Sequence, residues 1–122
     1  MSAFLRERAG SFRNAVRGIT ELVRTETHAK VHLGCTVIVT AAAATISLSS
    51  VEWCLIVLSI GLVWTAEALN TALERVVDLT CPTRNSLAGQ AKDLAAGAVL
   101  LAAITAAAVG LLVFLPRICE YL

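Results

Sequence analysis

An all-α membrane protein is what this sequence predicts: three transmembrane helices behind an amphipathic helix that lies on the membrane surface. Three observations carry that expectation. Of 122 residues, 57% are hydrophobic and 16% charged, with a mean hydropathy of +0.77, an apolar excess that a small soluble domain does not carry. Two uncharged runs, 33–51 with 19 residues and 94–115 with 22, approach the roughly 20 residues a helix needs to cross a bilayer. Near the N-terminus, apolar residues recur with helical periodicity between arginines. The apolar fraction excludes a disordered chain, and a net charge of +1 offers no electrostatic footprint for nucleic acid.

Residues 1–30 are expected to form the surface helix. Leu5, Ala9, Phe12, Val16, Ile19 and Val23 recur at alternating gaps of four and three, with Arg6, Arg8, Arg13, Arg17 and Arg24 between them. Such a helix lays its apolar face in the acyl boundary and its arginines among anionic headgroups. Its apolar residues are periodic rather than contiguous, which argues against a signal peptide. The first span is expected at 33–51 and the second at 53–79, joined by a tight hairpin around Ser49, Ser50, Val51 and Glu52. Within the second, 53–66 is apolar before Glu67 appears, and the helical pattern runs on through Glu74. Cys81-Pro82 ends it, because proline has no amide donor and no room for a continuing helix. The third span is expected at 94–115. No boundary or internal repeat divides the chain, so 1–122 reads as a single integral-membrane domain.

Orientation follows from the basic residues. Six of the ten Lys and Arg precede the first span, and Arg75, Arg84 and Lys92 flank the connection between the second and third. The positive-inside rule then puts the N-terminus in the cytoplasm of a multi-pass protein of the cell membrane, with Arg117 as the one exception. Three spans make a thin object that is expected to oligomerise. Ala98, Ala102, Ala106 and Gly110, spaced by four, form a small-residue strip on which helix backbones can approach closely, in this chain or between chains. Cys35, Cys54, Cys81 and Cys119 form no C-x-x-C pair and no metal-site spacing, while His28 and His32 at i, i+4 read as polar positions at headgroup level.

The chemistry is expected on the second span. Glu67, Asn70, Glu74 and Asp78 share one helical stripe roughly 80° wide and about 16 Å long. Ionisable groups at membrane depth are costly and mark function by default. Three carboxylates in a stripe require cations beside them. Hard oxygen ligands suit Mg²⁺, which takes one or two carboxylates and completes its shell with phosphate and water. Lys92, beside Asp93 at the expected start of the third span, can face a phosphate, and Glu26 can add a carboxylate from before the first span. The alternative is a polar stripe that glues helices together, with Asn70 bonding across a bundle. Gly-x-x-x-x-Gly-Lys is absent, so a nucleotide would be held by some device other than a P-loop.

The string EALNTALERVVD, from Glu67 to Asp78, resembles the signature of the prokaryotic diacylglycerol kinase family, small three-span membrane kinases built as trimers. QAKDLAAGAVL from Gln90 is similar to the family's second block, and the amphipathic N-terminal helix followed by Glu26 completes the layout. GITELVRTE ending at Glu26, then His32, and FLPR after the last span are most similar to the Gram-positive branch, whose members act mainly on undecaprenol. The resemblance implies a homotrimeric, ATP- and Mg²⁺-dependent kinase of a lipid alcohol, making undecaprenyl phosphate from undecaprenol or, alternatively, phosphatidic acid from diacylglycerol. It implies Glu67 as catalytic base, Glu26 and Glu74 as Mg²⁺ ligands that also meet ATP, Lys92 and Asp93 as nucleotide contacts, and Asn70 and Asp78 as positioning groups. Three positions depart from the family pattern. Where members often carry a lysine and an aromatic residue on the N-terminal helix, this chain has Gly10 and Asn14, leaving Arg13 and Arg17 to meet the nucleotide; His28 stands where the branch commonly has Asn. Two other classes remain open on the residues alone: a small proton-coupled transporter in which Glu67 carries the proton, and an assembly subunit.

Overall fold

The computed structural model describes residues 3–120, so positions 1–2 and 121–122 of the expected domain lie outside the described residues. The described chain is four helices: α1 (Ala3–Thr25), α2 (Thr27–Thr45), α3 (Ser50–Thr80) and α4 (Ser86–Glu120). Two of them, α3 and α4, are long and apolar enough to cross a membrane. They pack against each other along much of their length, while α1 and α2 lean more lightly on α3.

The surface helix is shorter than expected. It ends at Thr25, Glu26 takes an extended backbone (φ −94°, ψ 125°), and residues 27–30 open α2 instead of closing α1. The physical reason is local. Thr25 and Thr27 are β-branched, and the Thr25 hydroxyl donates back to the Glu21 carbonyl at 3.0 Å, which weakens the case for an unbroken helix. At the break Glu26 keeps both its backbone groups paired: its N–H donates to the Leu22 carbonyl (3.0 Å) and its carbonyl accepts from Lys30 (3.3 Å). Along α1, Leu5, Phe12, Val16 and Ile19 stand exposed and Leu22 is buried, so most of the apolar face is left uncovered by the chain itself.

The uncharged run 33–51 is not one helix. α2 stops at Thr45, Ile46 is extended (φ −115°, ψ 140°), and the apolar part of the helix, 33–45, covers only about 20 Å at 1.5 Å per residue. The run is interrupted because Ser49 is recruited to start the next helix. Its hydroxyl accepts from the Glu52 N–H (3.3 Å) while the Glu52 carboxylate accepts from the Ser49 N–H (2.7 Å), a reciprocal cap that satisfies two donors at once. The helix therefore begins at Ser50 rather than 53.

A similar cap moves the start of α4. The Asn85 side-chain oxygen accepts from the N–H groups of Leu87 (2.9 Å) and Ala88 (3.2 Å), so the helix starts at Ser86, well before 94, and Lys92 and Asp93 sit inside it rather than opening it. At the other end α4 runs through Pro116 to Glu120; proline removes one donor there, just before the last turn. The break at Cys81-Pro82 lies where the sequence puts it.

The buried apolar residues, Leu22, Ala29, Ala43, Ile56, Val63, Ala102 and Val113, form a narrow seam rather than a globular core. Ala102 is 5% exposed, and Ala98 and Ala102 line a groove of about 470 Å³ with Leu62, Ala66 and Leu69 of α3, so the small-residue strip of α4 is buried at Ala102 and leaves Ala98 exposed, with open space beside Gly110. Farther along, Arg117 of α4 forks onto the Glu52 carboxylate with contacts of 2.9–3.2 Å. That pair accounts for the one basic residue on the wrong side of the charge pattern. Val37, Ile38, Leu58, Leu100 and Leu112 stand exposed, an apolar girdle suited to lipid.

Enlarging the closest part of the α3–α4 seam tests this packing. Ala102→Leu is expected to destabilise the chain by about 1–3 kcal/mol through overpacking, whereas Ala107→Leu on the exposed side of α4 changes little; thermal unfolding in lipid nanodiscs measures both.

Candidate active site

The acids lie on one side of α3 that is packed at Glu67, half-open at Glu74 and exposed at Asp78. At 100° per residue, Ile56, Val63, Glu67 and Thr71 share one side of the helix, and all four are buried. Glu74 and Asp78 continue the same side one and two turns beyond Thr71. The face that packs α3 into the molecule is thus apolar over its first half and an oxygen ladder over its second. Glu67, 3% exposed, sits where the two halves meet.

Each rung of the ladder meets a different partner. Glu67 faces α2, where His32 Nε2 lies 3.9 Å from its carboxylate. One turn earlier on α3, Trp64 Nε1–H donates to Thr36 Oγ1 (3.0 Å), and that hydroxyl donates to the His32 carbonyl (2.8 Å), fixing the register of α2 on α3. Asn70 donates through Nδ2 to Glu74 (3.3 Å), and its own side-chain oxygen is buried with no partner among the described residues. Asp78 accepts from Lys92 of α4 at 2.9 Å. The helical continuation of α4 toward its start is what lets Lys92 reach back across the 81–85 connection.

Glu26 is brought to this region by a residue that sequence reasoning used only as an orientation marker. Arg75 donates to the Glu26 carboxylate (3.1 Å) and to Thr25 Oγ1 (2.9 Å), while Thr25 Oγ1 also donates to Glu26 (3.0 Å). The break at Glu26 thus frees its side chain from any capping duty and turns it toward α3. Arg75 is one position, or 100°, beyond Glu74, so it points past the ladder to the α1–α2 junction. A pair separated by 49 residues leaves no periodic signal by which the sequence could announce it.

Not every expected residue is gathered. Arg13 and Arg17 stand exposed on α1, and among the described residues neither forms an ion pair with the α3 acids. Asp93 is exposed beside a groove on α4 lined by Gln90, Leu94 and Gly97, facing away from the Lys92–Asp78 pair. Between α1 and α3, a groove of about 460 Å³ is lined by Ala15, Gly18, Leu22, Thr71 and Arg75, small side chains around one cation. Among the described residues no three His, Cys, Asp or Glu converge closely enough to enclose a metal ion. The acids are instead spaced along the helix as separate oxygen donors, with Lys92 on Asp78 and Arg75 on Glu26 as the nearby cations, an arrangement that can receive a polyanion carrying its own counter-ion.

The chain matches the family model for prokaryotic diacylglycerol kinase over residues 13–114. It is 43% identical over 108 residues to the undecaprenol kinase of Bacillus subtilis, covering 88% of each chain. It is also 44% identical over 107 residues to a diacylglycerol kinase of Synechocystis sp., covering 87% of this chain and 61% of that one. The matched region takes in the whole oxygen ladder of α3, the Glu26 junction and Lys92, and the chain accordingly belongs to the prokaryotic diacylglycerol kinase family.

Proposed function

We propose that this protein transfers the γ-phosphoryl group of ATP to the hydroxyl of undecaprenol, giving undecaprenyl phosphate. The observation that carries the reading is the placement of Glu67, a buried carboxylate midway along a helix apolar enough to span the membrane, at the inner end of a ladder of oxygen donors. A lipid alcohol at the bilayer boundary would meet a phosphate descending that ladder. Kinase ancestry decides against the transporter and assembly readings. Undecaprenol is favoured over diacylglycerol by the relative matched along 88% of its length, against 61% for the diacylglycerol kinase.

Glu67 takes the proton of the lipid hydroxyl as that oxygen attacks phosphorus, a role in which a well-placed base contributes roughly 10²–10⁴-fold. Phosphoryl transfer otherwise needs positioning and charge neutralisation. Lys92, held by Asp78, and Arg75, held by Glu26, bring two cations to the outer rungs, where a triphosphate needs them. Asn70, through its bond to Glu74, sets the direction of that carboxylate. Arg13, Arg17 and Asp93 complete the nucleotide contacts from the surfaces of α1 and α4.

The donor set fits Mg²⁺ bound together with phosphates: Glu74 and Glu26 are the carboxylates that would hold it, and the unpartnered Asn70 oxygen beside Glu74 shows spare acceptor capacity there. When bound, the ion neutralises phosphate charge that the two lysine and arginine groups alone leave unbalanced. The reading further takes α2 as a third crossing, with the N-terminus and the 81–85 connection in the cytoplasm, 1–122 as one domain, and the functional unit as a homotrimer. One chain leaves the ladder open on one side, and a neighbour covers it at lower cost than lipid would.

Assayed with Mg·ATP in nanodiscs, the protein is expected to phosphorylate undecaprenol in preference to diacylglycerol. Glu67→Gln keeps fold and nucleotide binding but loses turnover by about 10²–10⁴-fold, and near-wild-type turnover would remove Glu67 from the mechanism.

Glu26→Gln and Glu74→Gln each weaken Mg²⁺-dependent nucleotide binding, measured by titration, and the double variant loses less than the sum because both act on one ion. Strict additivity would separate the two carboxylates.

Mixing inactive Glu67→Gln chains with inactive Glu26→Gln chains restores activity when the two residues meet across a subunit boundary. Mixed oligomers, verified by tag pull-down, that stay inactive would assign both residues to one chain.

A further inference from the structure

Glu67 is 4% exposed at its side chain, and the basic group set against it is the half-buried imidazole of His32, 19% exposed, on α2. At 3.9 Å the two are within ion-pair distance and beyond a direct hydrogen bond, a spacing at which a protonated imidazole acts on the carboxylate through its charge. The juxtaposition is built rather than incidental. Trp64 Nε1–H to Thr36 Oγ1, and Thr36 Oγ1 to the His32 carbonyl, lock α2 and α3 in the register that brings His32, one turn from Thr36, opposite Glu67, one turn from Trp64. Burying a carboxylate without a counter-charge is costly, and the other cations near the ladder are spoken for: Arg75 by Glu26 and Lys92 by Asp78.

We propose that His32 is a positioning residue for the phosphoryl transfer, its imidazolium pairing with Glu67 across the α2–α3 seam so that the carboxylate stays charged and aimed at the lipid hydroxyl. The inference rests on the reading of Glu67 as base. In the step it serves, the hydroxyl proton passes to the Glu67 carboxylate, the lipid oxygen forms a bond to the γ-phosphorus, and the bond from that phosphorus to the β–γ bridging oxygen breaks, leaving ADP. His32 touches none of the reacting atoms. Glu67 is the acid that faces it from α3; among the described residues no ion pair joins it to α1, and on α2 itself His28 and Lys30 are exposed one turn and half a turn away. A neutral side chain of similar size would keep the packing and lose the function.

The test uses the full chain in nanodiscs with undecaprenol and Mg·ATP, and compares His32→Gln, His32→Ala, Glu67→Gln and the double variant Glu67→Gln/His32→Ala. His32→Gln and His32→Ala are expected to lower kcat on the order of 10–100-fold, part of the contribution of a correctly charged base, with KM for ATP and lipid unchanged. Added imidazole restores turnover to His32→Ala and not to the double variant, whereas pyrrole, of the same shape but without a basic nitrogen, restores neither. Wild-type kcat in His32→Gln, a loss confined to KM, or equal rescue by pyrrole would overturn the proposal while leaving the base reading intact if Glu67→Gln is inactive. Full turnover in Glu67→Gln would overturn both.

Discussion

A carboxylate on the packed face of a membrane helix must have its charge answered by another segment of the protein, because neither lipid nor bulk water is there to answer it. Glu67 imposes that requirement at the middle of α3, and the arrangement of the other helices can be read as its consequence. α2 is registered against α3 by Trp64 and Thr36 so that His32 meets Glu67. α4 begins early enough for Lys92 to reach Asp78. The α1–α2 junction breaks where Arg75 can collect Glu26. At the far end, Glu52 serves both as the cap of α3 and as the seat of Arg117. Asn70 and Glu74 bond to each other within α3, and the remaining polar positions tie α3 to the other three helices, so α3 acts as the spine to which the others are fastened.

The apolar half of the same face has a simpler task. Ile56 and Val63 pack beside Ala102 and Val113, and small side chains on α4 let two long helices lie close. Within lipid, apolar side chains gain little by leaving the surroundings for the seam, so contact quality and paired polar groups carry the association. The many exposed leucines, valines and isoleucines are consistent with that view: the seam is narrow because a membrane protein of this size has no need of a wide one. It also leaves the ladder incompletely enclosed by a single chain.

The division of α3 into an apolar and a polar half matches the two substrates of a lipid kinase. The first half of the packed face is apolar and suited to lipid, the second carries carboxylates with cations nearby, and Glu67 lies where the two meet. Arg75 on Glu26 and Lys92 on Asp78 set a cation beside each of these carboxylates, which offsets the repulsion among closely spaced acids.

The all-α class, the long apolar helices, the proline break after α3 and the one-sided stripe from Glu67 to Asp78 were legible in the sequence, because each depends on hydropathy or on the 3.6-residue period of a single helix. The family signature lies in that same stripe. Helix ends were less legible: the uncharged run 33–51 conceals a stop at Thr45, since a cap is decided by a few side-chain hydrogen bonds, Ser49 with Glu52 and Asn85 with Leu87, that hydropathy does not register. Tertiary structure alone decided that Glu26 is taken up by Arg75, that His32 faces Glu67, that Arg117 is neutralised by Glu52, and that the small-residue strip of α4 borders a groove shared with its own α3. These are pairings between segments 28 or more residues apart, and their geometry is set by how whole helices cross and register, which no local pattern of residues encodes.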